Sequence, residues 1–138
     1  MKTNLTILAI GFLLSFCTPK TEVAPTDDRD KFIGSYKGTF TYTVLGNTET
    51  NTTNFEITKD GNNLKLGTAM YGTAKGNTIT TNQASISDKT SSGTLVTLII
   101  DSGILTLNGN SLSGTMPLTV IANNQTTKGT YKIEMAKQ

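Results

Sequence analysis

The chain has 138 residues with 12 basic and 10 acidic side chains, no histidine, no tryptophan and one cysteine. A net charge of +2 leaves no electrostatic footprint for nucleic acid, and a single thiol cannot close an internal disulfide. Threonine occurs 27 times and glycine 13 times, a composition of β-branched strand residues and turn formers, and about 120 residues beyond a leader suffice for one domain with one modest core.

Met1 to Cys17 reads MKTNLTILAIGFLLSFC. Lys2 forms a basic n-region ahead of an apolar run from Leu5 to Leu14, the pattern of a secretory signal too short to serve comfortably as a permanent span. Its end, Leu14-Ser15-Phe16-Cys17, resembles the lipobox of bacterial lipoproteins, with Phe16 standing where a small residue is usual. That resemblance implies a helical signal peptide over residues 1–16, a lipid on Cys17 and a place in the cell envelope on the outer membrane, with the periplasmic and surface leaflets both open. Two acyl-type anchors would bury tens of methylenes at about 0.8 kcal/mol each, so attachment would be permanent. The alternative is an ordinary signal cut elsewhere, with Cys17 discarded or left as a free thiol. Residues 17–30 are rich in proline and charge and read as a flexible linker. Asp27, Asp28 and Asp30 also suit the start of a short helical turn ahead of Phe32.

The domain of residues 31–138 reads as strands joined by turns. From Phe32 to Val44 the even positions carry Phe32, Tyr36, Phe40, Tyr42 and Val44, and the odd positions are mostly polar, the period of a half-buried strand. Gly34 and Gly38 on that aromatic face mark a sharp bend or a close backbone approach. A turn at Leu45 to Thr48 leads to a strand with Thr53, Phe55 and Ile57 inward, and Asp60-Gly61 signals a hairpin into Leu64 and Leu66. Gly67 to Ala74 forms another strand, and Lys75-Gly76-Asn77 turns the chain toward Ile79. Ile79 starts a short strand, and Ala84 and Ile86 mark a further one, bounded by the polar loop Asp88 to Gly93. Leu95 to Ile100, LVTLII, predicts a strand buried on both faces or lying at the barrel bottom. Leu105 and Leu107 share a phase, as do Leu112, Gly114, Met116, Leu118 and Val120, and Pro117 predicts an edge or a bulge. Gly129, Tyr131, Ile133 and Met135 face inward in the last strand.

Gly61-Asn62-Asn63-Leu64 and Gly109-Asn110-Ser111-Leu112 repeat one hairpin wording, and KGTYKI near the end echoes YKGTFTY near the start. Strands of matched pleat at the two ends can pair and remove both edges. The expected fold is therefore all-β, an antiparallel up-and-down meander closing into a small barrel of about 8 to 10 strands. An open β-sandwich is the alternative. Gly34-Ser35-Tyr36 resembles the opening Gly-x-Trp strand of lipocalin-like (calycin) barrels, with Tyr36 in the tryptophan's place. The lipobox, the tether, DKFIGSYKGT and the Gly-Asn hairpins together look like the small lipoproteins common in Bacteroidota.

Catalysis has little to draw on. Without histidine or a Gly-x-Ser-x-Gly elbow the common nucleophilic triads are excluded, Glu56 and Glu134 lie at outward phases, and no cofactor motif or metal cluster is predicted. Tyr36, Phe40, Tyr42, Phe55, Tyr71 and Tyr131 are the candidate ligand pocket or, alternatively, core of a small barrel. The expectation is a non-enzymatic, monomeric envelope lipoprotein that binds a small, partly apolar ligand in the barrel mouth. A protein-interaction module, such as an inhibitor or an accessory subunit, is the alternative.

Overall fold

The computed structural model describes residues 26–138. The expected signal peptide, Cys17 and the first part of the expected linker lie outside the described residues. A short 3-10 turn, Asp30–Phe32, precedes ten antiparallel strands: β1 (Gly34–Val44), β2 (Asn47–Asp60), β3 (Asn63–Leu66), β4 (Met70–Lys75), β5 (Thr78–Thr81), β6 (Ala84–Lys89), β7 (Leu95–Ile100), β8 (Ile104–Asn108), β9 (Ser111–Ala122) and β10 (Gln125–Lys137).

Eight of them close a barrel. Following hydrogen-bonded neighbours from β1 gives β2, β3, β4, β5, β8, β9, β10 and β1 again, so the first and last strands do pair and the open sandwich is excluded. The seam runs from Tyr36 opposite Lys137 to Val44 opposite Gly129 without a slip. Gly38 permits the close approach of β10 there, because a β-carbon at that position would collide with the carbonyl oxygen of Glu134 and with the backbone of Met135. Tight turns set the registers. Leu45-Gly46 and Asn123-Asn124 both hold two residues at positive φ, as in type I′ turns, whereas Gly61, Gly76 and Gly109 each place only the first of two loop residues there, as in type II′. The β2–β3 loop is thus Gly61-Asn62, one residue later than Asp60-Gly61.

The meander has one interruption. The β6–β7 hairpin leaves the barrel between β5 and β8, and β7 pairs with the last five residues of β9, from Leu118 to Ala122. This corrects the expectation for Leu95–Ile100. Only Ile100 is buried there, Leu95 is 56 % exposed, and the strand forms a wall above the barrel rather than its floor. Val96 to Ile99 are half-buried, as a wall covered less completely than a core strand would be. Pro117 sits where β9 changes partner, since β8 pairs with residues 111–113 and β7 with 118–122, so the missing amide falls in a local edge.

Strand length makes the barrel lopsided. β1, β2, β9 and β10 have 11, 14, 12 and 13 residues, while β3, β4, β5 and β8 have 4, 6, 4 and 5. The core fills the level where all eight overlap: Tyr36, Ile57, Leu64, Leu66, Ile79, Leu105, Leu112, Met116, Leu118 and Ile133 are buried there. Phe32 plugs the closed end, and the hydroxyl of Tyr36 donates to its carbonyl at 2.9 Å.

The end of the stretch read as linker is fastened across that closed end. Asp27 accepts from Arg29 and pairs with Lys59 at 2.9 Å, Lys59 also reaches Asp30 at 2.5 Å, and Arg29 donates to the carbonyl of Gly61. Asp28 accepts from the amide of Gly76 at 2.8 Å. The chain from Asp27 to Phe32 is thereby tied to two separate turns of the barrel.

Candidate functional site

Above the core, only the long strands continue, and their inward faces line an open trench. Two cavities lie end to end along it. The lower one, about 480 Å³, is lined by Phe40, Phe55 and Tyr131 together with Leu66, Met70, Ala84, Ile86 and Ile100. The upper one, about 650 Å³, lies between Tyr42, Val44, Asn47, Glu49 and Asn51 on one side and Asp88, Lys89, Val96, Leu98 and Val120 on the other. On β1 the successive inward side chains are Tyr36 in the core, Phe40 in the lower cavity and Tyr42 and Val44 in the upper one. On β10 the same face runs from buried Met135 and Ile133 to half-buried Tyr131. One pleat therefore serves as core below and as lining above.

The six aromatic candidates separate accordingly. Phe40, Phe55 and Tyr131 come together: Tyr131 stacks on Phe40 at a centroid distance of 5.7 Å, and Phe55 meets Phe40 edge-on, also at 5.7 Å. Such geometries suit the ring quadrupoles. Phe55 is held from behind by Gly67, where a β-carbon would press on its ring at 2.7 Å. Burial pushes the Tyr131 phenol up to about 12, so it is a neutral donor at any physiological pH. Tyr42 lines the upper cavity and donates to the carboxylate of Glu49, a bond that raises its own pKa. Tyr36 belongs to the core. Tyr71 lies between buried Met70 and Gly72 with its side chain on the opposite face of β4, and it lines neither cavity.

Sequence reasoning did not bring the β6–β7 hairpin to this site, nor the polar inward row Asn47, Glu49, Asn51 and Thr53 of β2. A run that is apolar on both faces, as in LVTLII, was the available signal for a strand lining a cavity on one side. Among the described residues no group of three His, Cys, Asp or Glu could hold a metal ion. Glu56 and Glu134 are both exposed, and Glu134 is paired with Lys132 at 2.8 Å. No protein-family model matches the chain, and neither does any curated protein or solved structure.

Proposed function

We propose that this protein is a non-enzymatic lipoprotein of the cell envelope, anchored through lipid on Cys17, that holds a partly apolar ligand in the open half of its barrel. The kinship favoured is with small Bacteroidota-type lipoproteins carrying a lipocalin-like domain, acting as monomers on the outer membrane with no nucleic-acid partner. The observation that carries the ligand reading is the cluster of Phe40, Phe55 and Tyr131. These rings face an open cavity of about 480 Å³ and are only half-buried, although they pack against a cluster of sixteen buried residues. A barrel needing only stability would cover such rings, since burying an aromatic side chain contributes about 1.5–3 kcal/mol. The plug at Phe32 closes one end, so the trench is the accessible one.

The test is titration of the purified protein with N-phenyl-1-naphthylamine, an uncharged aromatic probe whose fluorescence rises in apolar surroundings. Saturable binding is expected, weakened at least about tenfold by Phe40→Ala, equivalent to about 1.4 kcal/mol. No saturable binding, or binding indifferent to Phe40→Ala in a protein that still melts cooperatively, would refute the reading.

A further inference from the structure

The walls of the trench are themselves strand edges. β2 pairs with β1 along Asn47–Ile57 and with β3 only along Ile57–Asp60, so its outer edge from Asn47 to Phe55 has no strand partner among the described residues. β6 pairs with β7 alone and forms the opposite wall. Which main-chain groups face the trench follows from the hairpin. Two-residue loops close on a hydrogen-bonded pair, here Val44 and Asn47, and such pairs recur at every second position. Asn47, Glu49, Asn51, Thr53 and Phe55 therefore direct their amides and carbonyls at β1. Thr48, Thr50, Thr52, Asn54 and Glu56 direct theirs outward. Glu56 bears this out, because its carbonyl accepts from the amide of Gly67, beyond the β1 ladder.

We propose that this trench takes an extended polypeptide segment, which adds as a strand to the outer edge of β2 and turns alternate side chains down onto the aromatic floor. The proposal rests on the reading of the open half as a ligand site and names the class of ligand. Proteins usually blunt long edges with lysine, proline or bulges. The edge from Thr48 to Asn54 has no lysine, proline or bulge, and its one charge, the inward-facing Glu49, is engaged by the Tyr42 hydroxyl: its sequence is TETNTTN and its register against β1 is unbroken. It extends about 23 Å at about 3.3 Å per residue. Its inward neighbours, the rings of Phe40, Phe55 and Tyr131 and then Leu98 and Val120, supply an apolar floor along the same direction. A peptide strand offers what both surfaces lack, a row of amides and carbonyls for the edge and apolar side chains at every second position for the floor. A fatty chain or a compact ring system would satisfy only the floor and would shield the outward amides from water without pairing them. A second copy of this chain fits poorly, since its own free edges are the walls of an equivalent trench.

The probe is a fluorescein-labelled synthetic peptide of about ten residues, alternating valine and threonine with one lysine at each end, added to the purified protein and followed by anisotropy. Saturable binding is expected, and the fully N-methylated peptide should fail to bind. Thr52→Pro removes an amide from the trench edge without touching the β1 ladder and should weaken peptide binding at least about tenfold, while Thr52→Val should not. Naphthylamine binding should be the same in both variants. If the naphthylamine binds but the peptide does not, or the methylated peptide binds as well as its parent, strand addition is refuted and the apolar site stands. If neither binds, both readings fall together. A dimer that forms with rising concentration and disappears in Thr52→Pro would assign the edge to a second copy and overturn the proposal. Should Thr52→Pro fail to fold, the methylated peptide decides on the native protein.

Discussion

Tyr36 and Phe40 stand on the same face of β1, four residues apart, and meet opposite surroundings. Tyr36 is at the level where eight strands overlap, is fully buried and spends its hydroxyl on the Phe32 carbonyl. Tyr36→Ala should lower stability by about 3–5 kcal/mol, as aromatic-to-alanine changes in cores do. Tyr36→Phe should cost about 1 kcal/mol, the loss of one buried hydrogen bond. Denaturant unfolding of the two variants checks the pair, and an alanine variant as stable as the parent would move Tyr36 out of the core. Asp27 behaves differently because its partners are charged. The Arg29 guanidinium, then Lys59, hold its carboxyl well below the usual carboxylate range. A carboxyl with a depressed folded pKa stabilises the fold above its unfolded value of about 3.9, and that contribution disappears as pH falls toward the folded value. Asp27→Asn should therefore melt below the parent at neutral pH, and the two melting curves should converge as the pH is taken well under 4. A difference that persists unchanged into acid would mean that Asp27 acts through something other than its charge.

At the scale of strands, closure is the property most exposed to test. Tyr131 to Gln138 supply the β10 half of the lower seam, pairing with β1 on one side and β9 on the other. Deleting them would bare the facing edges of β1 and β9 and take Tyr131, Ile133 and Met135 out of the apolar interior, and should remove most of a stability that for such a domain is about 5–15 kcal/mol. A truncated protein with an unchanged melting temperature would contradict the closed barrel. That seam was legible in the sequence because pleat and turn chemistry are local: the echo of YKGTFTY in KGTYKI put matched faces at both ends, and the Gly-Asn and Asn-Asn pairs fixed the loops between. What was not legible depends on partners. The stretch NTETNTTN has no apolar rhythm, so the strand was expected only from Thr53, yet β2 starts at Asn47 because the Leu45-Gly46 turn folds it directly back on β1. LVTLII has a strand's composition but no mark of which strand it joins, and periodicity cannot tell a barrel stave from a hairpin laid above one. The aromatic row was likewise visible as a row, while its division between core and cavity follows from neighbouring strands that stop short.

For the whole molecule, the expected attachment is through Cys17, nine residues ahead of the first described residue. Cys17→Ala should abolish labelling with a palmitate analogue and shift the protein from the membrane to the soluble fraction. Membrane association that survives the substitution would refute the lipoprotein reading, and would leave the trench and its probes untouched. The barrel itself needs no bilayer-facing surface for such attachment. Among the described residues no helix is long and apolar enough to cross a membrane. The acidic turn at Asp27–Asp30 would then work as a fastening between tether and barrel, since it engages Lys59 and the loops at Gly61 and Gly76.

Both ends of the described chain meet at the closed pole. Lys137 reaches the carbonyl of Lys31 with its ammonium at 3.2 Å, and the amide of Gln138 donates to Ser35 at 2.9 Å. The eight-stranded circuit is in effect a ring of hairpins whose one missing covalent link, between β10 and β1, is replaced by a ladder of main-chain hydrogen bonds. Chain order and spatial order therefore nearly coincide around that ring, and the point at which the chain starts is almost arbitrary. A few residues joining position 138 to the start of the acidic turn, with new termini opened in the loop of Thr90 to Gly93, would give a circular permutant with the same neighbours on every stave. In that permutant the trench would lie beside the chain ends, and any handle fused there would sit over the aromatic floor instead of at the opposite pole.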